Sequence, residues 1–403
     1  MAVTKKRYLY KIYDSAGAFI TTWADVESEP SFSIELNNGF SELVVTLSRA
    51  ESEYDEGVSV AYGNQLKLYA FDADSPLTGV LIYSGTLTRY VPTVNSASEV
   101  VQVTFLSYFS ELDQLILESG TDTTVTYTTD DPTDILKDLL DKFTGAGGRL
   151  DYDGGSTDNT GGSVTYTFNT VTYQEAIKKV LELSPADFYL RIGADDIVYF
   201  QQRSTVADHY LVIGREIIEY IPEKRIENIV NTVYVIGGGS PKLFKKYTDT
   251  GSVSAYGVHS MRYNDSRITT TNAASAIKER IFDTLAEPEI RVTFKVMDNN
   301  GDATNYERGY DIESFKVGNM VKILNATSKA NNLWDISVFD VSSWDYDITN
   351  ASSLLLQIMR IEYNPDYVII ELSNKQPNIV ARVEEINRQF VDSLNADNPT
   401  APS

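Results

Sequence analysis

Two short stretches of sequence decide the fold: Gly63-Asn64-Gln65-Leu66-Lys67-Leu68-Tyr69 and Gly318-Asn319-Met320-Val321-Lys322-Ile323-Leu324. Each is a Gly-Asn turn followed by a strand pattern, with lysine at the same offset. Further matches follow in the same order: Leu87-Thr88-Arg89-Tyr90 with Ile358-Met359-Arg360-Ile361, and Val101 to Ser107 with Tyr367 to Ser373. Hairpins share turn chemistry, so such a match can also arise by chance. The alternative, which we adopt as the prediction, is two β-barrels of one design in one chain.

Between the two copies the sequence changes from strand patterns to helix patterns. Asp131 and Pro132 predict a helix start, and Thr172 with Glu175 forms a capping box that predicts a second one. Two strand-like runs, 187–192 and 197–200, then predict a hairpin. We therefore expect a small α+β domain here.

The predicted fold class is mainly β with α+β insertions: two similar antiparallel β-barrel domains flanking a small α+β domain, with an excursion and a C-terminal helix. The ranges are 1–118 for the first barrel, 119–205 for the α+β domain, 206–240 and 310–376 for the second barrel with its insertion 325–353, 241–309 for an excursion with one helix, and 377–403 for the C-terminal helix and a disordered tail.

Composition removes several classes of function. The 403 residues are too many for one core, since single cores stop growing near ~250–300 residues. There is no cysteine, which excludes disulfides and thiolate chemistry, and only two histidines, the usual general bases and metal ligands. The net charge of −23 disfavours specific nucleic-acid binding. No apolar run is long enough for a membrane helix, and no signal peptide is expected.

No stretch of the sequence has the spacing of a catalytic or metal site. The loop Asp151 to Asp158 resembles a calcium loop, but Gly162 stands where an EF-hand needs an acidic residue, so a polar surface loop is the better interpretation. His209 and His259 have no partners at metal spacing. We therefore predict no cofactor, no metal and no enzymatic activity.

The order of these elements resembles the hub proteins of phage baseplates, including the central hub of contractile tails and the N-terminal hub region of siphophage tail-associated lysins. Four local features carry the resemblance: the helix 172–184 with the hairpin after it, the strand entry Asn228 to Gly238, the helix ending at Pro288 with Ile290 to Phe294 after it, and the strand-turn-strand Ile312 to Ile323. The resemblance covers roughly Tyr8 to Gln376.

The resemblance implies a structural hub in the virion tail tip, assembled in the host cytoplasm. Three subunits with two barrels each would form a pseudo-sixfold ring, with the tail tube or a distal tail ring protein on one side and tip or fibre proteins on the other. The lysins continue into a lytic region, so we expect any lytic activity to lie in another protein. Two alternatives stay open: a β-rich receptor- or glycan-binding tail protein, and a distal tail ring protein.

Two segments are candidates for a partner interface. The insertion carries the large aromatic residues Trp334, Phe339, Trp344 and Tyr346, which suit a binding arm or a loop folded onto its own barrel. The C-terminal segment carries Ile379, Val383, Ile386 and Phe390 at coiled-coil spacing, which suits a homotrimer axis, a tip partner or the chain's own barrel.

Overall fold

A computed structural model gives the structure of the protein. It describes residues 6–23, 26–48, 55–71, 79–94, 99–120, 122–225, 227–298, 310–324 and 354–375.

The strands, in chain order, are β1 (Arg7–Tyr13), β2 (Phe19–Trp23), β3 (Phe32–Glu35), β4 (Gly39–Phe40), β5 (Leu43–Ser48), β6 (Gln65–Phe71), β7 (Val80–Val94), β8 (Glu99–Leu106), β9 (Thr124–Asp130), β10 (Val164–Asn169), β11 (Phe188–Ile192), β12 (Val198–Gln202), β13 (His209–Val212), β14 (Ile217–Arg225), β15 (Thr232–Ile236), β16 (Phe244–Thr248), β17 (Ser260–Asn264), β18 (Glu289–Met297), β19 (Met320–Leu324), β20 (Leu354–Asn364) and β21 (Tyr367–Ser373). The α-helices are α1 (Pro132–Gly145), α2 (Tyr173–Leu183), α3 (Thr250–Tyr256) and α4 (Thr271–Leu285), with 3-10 turns at Tyr108–Asp113 and Ile312–Ser314.

The first large sheet is formed by strands from the N-terminal quarter of the chain. Its order is β2-β1-β6-β7-β8-β5, and every neighbouring pair is antiparallel. The segment after β2 bridges from Val26 to Leu47 on β5, so the two edges of the sheet approach each other. The sheet is therefore curled around the alternating apolar residues of its inner face.

The second large sheet has the order β13-β19-β20-β21-β18-β14, with β3 added to β20 and β4 paired with β3. Its edge strands β13 and β14 are consecutive in the chain and separated only by residues 213–216, with a bridge between Ile213 and Ile217. This short connection brings the two edges together and curls the second sheet as well. The mainly β fold predicted from the sequence is confirmed.

The sequence repeat corresponds to four strands that recur in the same chain order and the same spatial order. The order β6-β7-β8-β5 in the first sheet matches β19-β20-β21-β18 in the second. Leu66 lies opposite Gly85, and Val321 lies opposite Leu356. Leu66 and Val321 are each the second residue after the Gly-Asn turn of their copy. Leu66 and Val321 therefore occupy equivalent strands, as the repeat predicts.

The Gly-Asn turns of the two copies make the same backbone hydrogen bonds. The N–H of Gly63 donates to Leu87, and the N–H of Leu87 donates back to Asn64. In the second copy Gly318 and Asn319 make the same exchange with Ile358, residue for residue. Both glycines have positive φ, 84° and 92°, which explains why glycine stands at both positions. A bulge follows in both copies, after Leu87 and after Ile358.

The last strand of the repeat needs a correction of one residue. The sequence match aligned Phe105 with Glu371, but the pairs Leu87 with Phe105 and Ile358 with Leu372 make Phe105 equivalent to Leu372. Both of these side chains are fully buried. A shift of one residue would turn the apolar side chains to the outer face, so burial fixes the register.

The remaining elements form a mixed α/β unit, defined here as residues 107–202 and 229–286. It contains the ribbon β9-β10, the hairpin β11-β12, the three-stranded sheet β16-β15-β17 and the four helices. Helix α2 packs between α1 and α4, and α4 packs on β15. One hydrophobic core runs from Leu136 on α1 through Val180 on α2 to Val235 on β15. None of the described helices has the length and apolar character needed to cross a membrane.

The structure corrects four of the predicted assignments. Strand β3 lies in the range given to the first barrel but pairs with β20 of the second sheet, and β13 pairs with β19 in parallel rather than antiparallel. Strand β15 was placed in the second barrel but shares the core of the mixed unit. The described part of the excursion, residues 241–298, has two helices, α3 and α4, and its strand β18 belongs to the second sheet.

Candidate assembly surfaces

The two large sheets are joined at β3. This strand hydrogen-bonds to β20, while its Phe32 ring stacks on Tyr363 at 5.0 Å and lies 5.2 Å from Tyr83 of the first sheet. The Tyr83 hydroxyl donates to the backbone oxygen of Phe105 at 2.9 Å and lies 3.1 Å from that of Ser41. Phe32 is therefore held by side chains from both sheets, and the hydrophobic core continues from one sheet to the other.

A cluster of buried charges lies at the same junction, and we call Lys6, Tyr8, Asp298, Glu313 and Tyr363 the junction cluster. The Lys6 ammonium is 2.8 Å from Asp298 and 2.6 Å from Glu313, and the three side chains are 2%, 3% and 5% exposed. Tyr363 donates a 2.6 Å hydrogen bond to Glu313. Burial by itself would lower the pKa of Lys6, but the charges and hydrogen bonds of Glu313 and Asp298 outweigh it and raise that pKa above 10.5. The N-terminal strand is thus tied to the second sheet by charge as well as by apolar packing.

The mixed unit is fixed to both large sheets by polar contacts. Asn37, in the turn between β3 and β4 of the second sheet, has a positive φ of 64° and exchanges hydrogen bonds with the backbone of Leu190 in the hairpin β11-β12. Asp196, in the turn of the same hairpin, is 3.3 Å from the Lys67 ammonium and accepts from the Ser84 hydroxyl. Burial raises the pKa of Asp196. The hairpin is therefore held against both large sheets and links them to the helices.

A cleft of about 280 Å³ lies where β7, the hairpin and the turn before β19 meet. Its polar side chains contact one another: Arg191 stacks 3.6 Å from the Tyr199 ring centre, and the Tyr199 hydroxyl donates to Asp195 at 2.9 Å. Because these groups already have partners and the floor is apolar, the cleft is the gap left between three packed units rather than an arrangement of free functional groups.

A second buried charge cluster holds the mixed unit together. Lys179 on α2 is 2.8 Å from Asp265 and 3.0 Å from Glu182, and it donates to the Tyr263 hydroxyl. Burial would raise the pKa of Asp265, but Lys179 and Arg267 lower it to about 2. The residue after β17 is thereby fixed to α2, which explains why the excursion and the α+β domain share one core.

The histidines are placed as ordinary side chains. His209 is buried, packs on Phe315 and lies 3.0 Å by its Nδ1 from the Tyr310 hydroxyl; burial lowers its pKa. His259 is exposed and contacts a backbone oxygen. Within the described ranges, no three His, Asp or Glu side chains are grouped as metal ligands. In the loop after α1, Asp153 accepts from the N–H of Gly155, which is a turn contact.

The predicted partner residues cannot be compared with these surfaces. Trp334, Phe339, Trp344 and Tyr346 lie outside the described residues, and so do Ile379, Val383, Ile386 and Phe390. The junction cluster and Phe32 were not predicted from the sequence. Their contacts join residues more than three hundred positions apart, as for Lys6 and Glu313 with a separation of 307, and no local pattern signals such a pair.

The structure is similar to solved tail proteins of bacterial prophages. The prophage tail protein gp18 of Listeria monocytogenes matches with a TM-score of 0.56 and 11% identity, over 94% of this chain and 98% of that one. The 43 kDa tail protein of prophage MuSo2 from Shewanella oneidensis matches with a TM-score of 0.55 and 11% identity, over 90% and 97%. A tail protein from Neisseria meningitidis matches with a TM-score of 0.57 and 9% identity, over 91% and 97%.

The chain thus has the fold of phage tail proteins, and the resemblance seen in the sequence is confirmed at the level of the fold. No protein-family model matches the sequence, and no curated protein matches it significantly. The structural matches extend over nearly the full length of all three proteins, so the similarity includes the order of the units as well as the individual sheets.

Proposed function

We propose that this chain is a non-enzymatic structural subunit of a phage-type tail, and that it forms the hub of the tail tip in the virion. In this proposal three copies associate into a pseudo-sixfold ring, built from the two large sheets of each copy. The ring joins the tail tube or a distal tail ring protein to tip or fibre proteins. Assembly takes place in the host cytoplasm.

The internal duplication is the observation that carries the proposal. Four strands recur with the same order, the same register and the same bulge, so one chain presents two nearly equivalent units. Closed oligomers are usually symmetric, and a chain with two similar units needs only half as many copies to match a given symmetry. Three such chains therefore suit a sixfold tube.

A pseudo-symmetric ring also requires the two units to keep one relative orientation. The pairing of β3 with β20 and the junction cluster both support this, because they join the sheets by backbone hydrogen bonds and buried charges. If the two sheets of one chain could move relative to each other, each chain would add one mobile joint to the ring. The ring would then have six mobile joints instead of only the three contacts between copies. The non-enzymatic part of the proposal rests on the fold shared with tail proteins and on the absence of cysteine.

The test is the mass and symmetry of the purified chain. Native mass spectrometry should give three times the mass of one chain, and class averages by electron microscopy should show a ring with six similar lobes. A stable monomer, or a ring with another number of lobes, would refute the hub proposal. Binding of a monomer to host surface glycans would favour the receptor-binding alternative instead.

A further inference from the structure

The outer face of the three-stranded sheet is a compact basic and aromatic surface. Cross-strand pairing places Tyr234 between Lys246 and Arg262 in one row, and Ile236 between Phe244 and Asn264 in the next row outward. We call these six residues the basic face. Lys246 and Arg262 are exposed, and the Phe244 ring is 59% exposed. Lys246 lies 5.5 Å from the Tyr234 ring centre.

This concentration of positive charge is unusual for the chain that carries it. The whole protein has 57 acidic and 34 basic side chains, so a randomly chosen surface is expected to be acidic. The inner face of the same sheet is fully used, since Val233 and Val235 are buried in the core of the mixed unit. The outer face is exposed among the described residues, and the chemistry it fits is an acidic surface with some apolar area.

The same mixed unit also carries an acidic surface. Asp134 and Asp141 are exposed on α1, and Asp151, Asp153 and Asp158 are exposed in the loop that follows it; we call these five residues the acidic face. The Tyr152 hydroxyl hydrogen-bonds Asp141, which holds the loop beside the helix. Helix α1 contacts α2, α2 contacts α4 and α4 contacts β15, so the acidic face and the basic face belong to different elements of the same unit.

We propose that the basic face of one copy docks on the acidic face of the next copy, head to tail around the ring. This inference rests on the proposed hub function and names the surfaces that would set its register. Two different faces in contact form a heterologous interface, which closes into a ring when the rotation between copies permits. A second copy is the favoured partner because both complementary faces belong to the same chain. The strong net negative charge otherwise makes copies repel, so an attractive pair of faces would select one orientation.

The test is a charge swap measured by the mass of the assembly. The reversed chains Lys246→Glu with Arg262→Glu, and Asp134→Lys with Asp141→Lys, place like charges across the proposed contact. Each should shift the chain toward monomers, with a dissociation constant raised at least roughly tenfold. The chain carrying all four substitutions has the original net charge and should regain the wild-type mass. Circular dichroism and thermal melting establish that each chain is folded.

Salt provides a second measurement, because exposed charge pairs are screened over about 8 Å at physiological ionic strength. The wild-type and four-substitution assemblies should both weaken as salt rises. Oligomers of the reversed chains with unchanged mass, or a four-substitution chain that remains monomeric, would overturn the inference and leave the hub proposal standing. Loss of binding to another acidic tail protein or to duplex DNA, with the mass unchanged, would assign the basic face to that partner and also overturn it. A monomeric wild-type chain would refute the hub proposal, and this inference with it.

Discussion

Replacing Lys6 with methionine tests the junction between the two large sheets most directly. Methionine keeps most of the aliphatic length of lysine but removes the ammonium that lies between Asp298 and Glu313. The two carboxylates then stay buried beside each other without that positive charge. We expect a large loss of stability, because an uncompensated buried charge costs far more than the lost contact.

The magnitude follows from the burial of the cluster. Breaking a buried ion pair by removing one partner costs about 3–5 kcal/mol, and here one ammonium serves two carboxylates. The side chains are 5% exposed or less, so solvent screening does not reduce this figure. The control is Lys11→Met on the same strand: Lys11 is only half-buried, 4.6 Å from the Tyr69 ring centre, and its loss should cost less than about 1 kcal/mol.

The assay is urea unfolding of both variants and the wild type at several pH values. The wild-type contribution of Lys6 is fully present below pH 10.5 and is lost as the pH rises through its raised pKa. The difference in stability between the wild type and Lys6→Met should therefore shrink as the pH rises through that pKa. Equal costs for Lys6→Met and Lys11→Met at pH 8 would refute the reasoning.

Three further predictions concern single side chains, each measured by urea unfolding. Gly318→Ala should destabilise the protein more than Gly63→Ala. Both sites have positive φ, which costs an L-residue roughly 1–2 kcal/mol. Only at Gly318 would the new methyl group also clash with the Tyr189 ring, which would lie 2.4 Å away. Equal losses would contradict this. Phe32→Ala should cost about 3–5 kcal/mol, because the ring fills the space between the sheets; a loss below 1 kcal/mol would mean that the junction repacks. Burial lowers the pKa of His209 below 6.5, so the unfolded chain binds more protons than the folded one as the pH falls below 6.5. The stability of the wild type should therefore fall more steeply there than the stability of His209→Gln. Identical pH profiles of the two chains would contradict this.

The repeat could be predicted because its signals are local. A glycine with positive φ followed by a strand of alternating burial is visible in a few residues, and both copies have it at Gly63 and Gly318. The caps of α1 and α2 are equally local: the Asp131 side chain accepts from Thr133, and the Thr172 capping box is complete. These elements needed no knowledge of the tertiary structure.

Other assignments failed because the alternation of apolar and polar residues shows which face of a strand is buried, but not to which sheet the strand belongs. Nothing in the sequence of β3 tells that it leaves the first sheet for β20. The run Tyr367-Val368-Ile369-Ile370 is apolar at both parities, so its register was ambiguous until burial fixed it. Helix α3 has no apolar stripe and depends on the cap at Asp249, so its pattern resembled a loop.

The sequence predicted which types of residue would form partner surfaces, but not where those surfaces lie. The lack of cysteine and the two isolated histidines argued against a catalyst, and the repeat with the family resemblance implied an assembly protein. The aromatic insertion and the amphipathic C-terminal segment were chosen as partner sites from their sequence patterns. The basic face escaped notice because its six residues come from three separate strands, and only cross-strand registry brings Lys246 and Arg262 to either side of Tyr234. A count of charges along the chain does not reveal such a cluster, because acidic residues outnumber basic ones in the sequence as a whole.

The junction between the two sheets cannot be completed early during synthesis on the ribosome, because β3 pairs with β20 and Lys6 pairs with Glu313. The partners of the N-terminal strands lie about three hundred residues downstream, 307 in the case of Lys6 and Glu313. At ~5–20 residues per second, roughly 15–60 s pass between the synthesis of the two sides. During that interval the side of Phe32 that stacks on Tyr363 and the edge of β3 that pairs with β20 have no partner, and an unpaired edge pairs readily with another nascent chain. The protein should therefore depend on chaperones during synthesis more than its final compactness would suggest, and slower translation should increase the aggregated fraction.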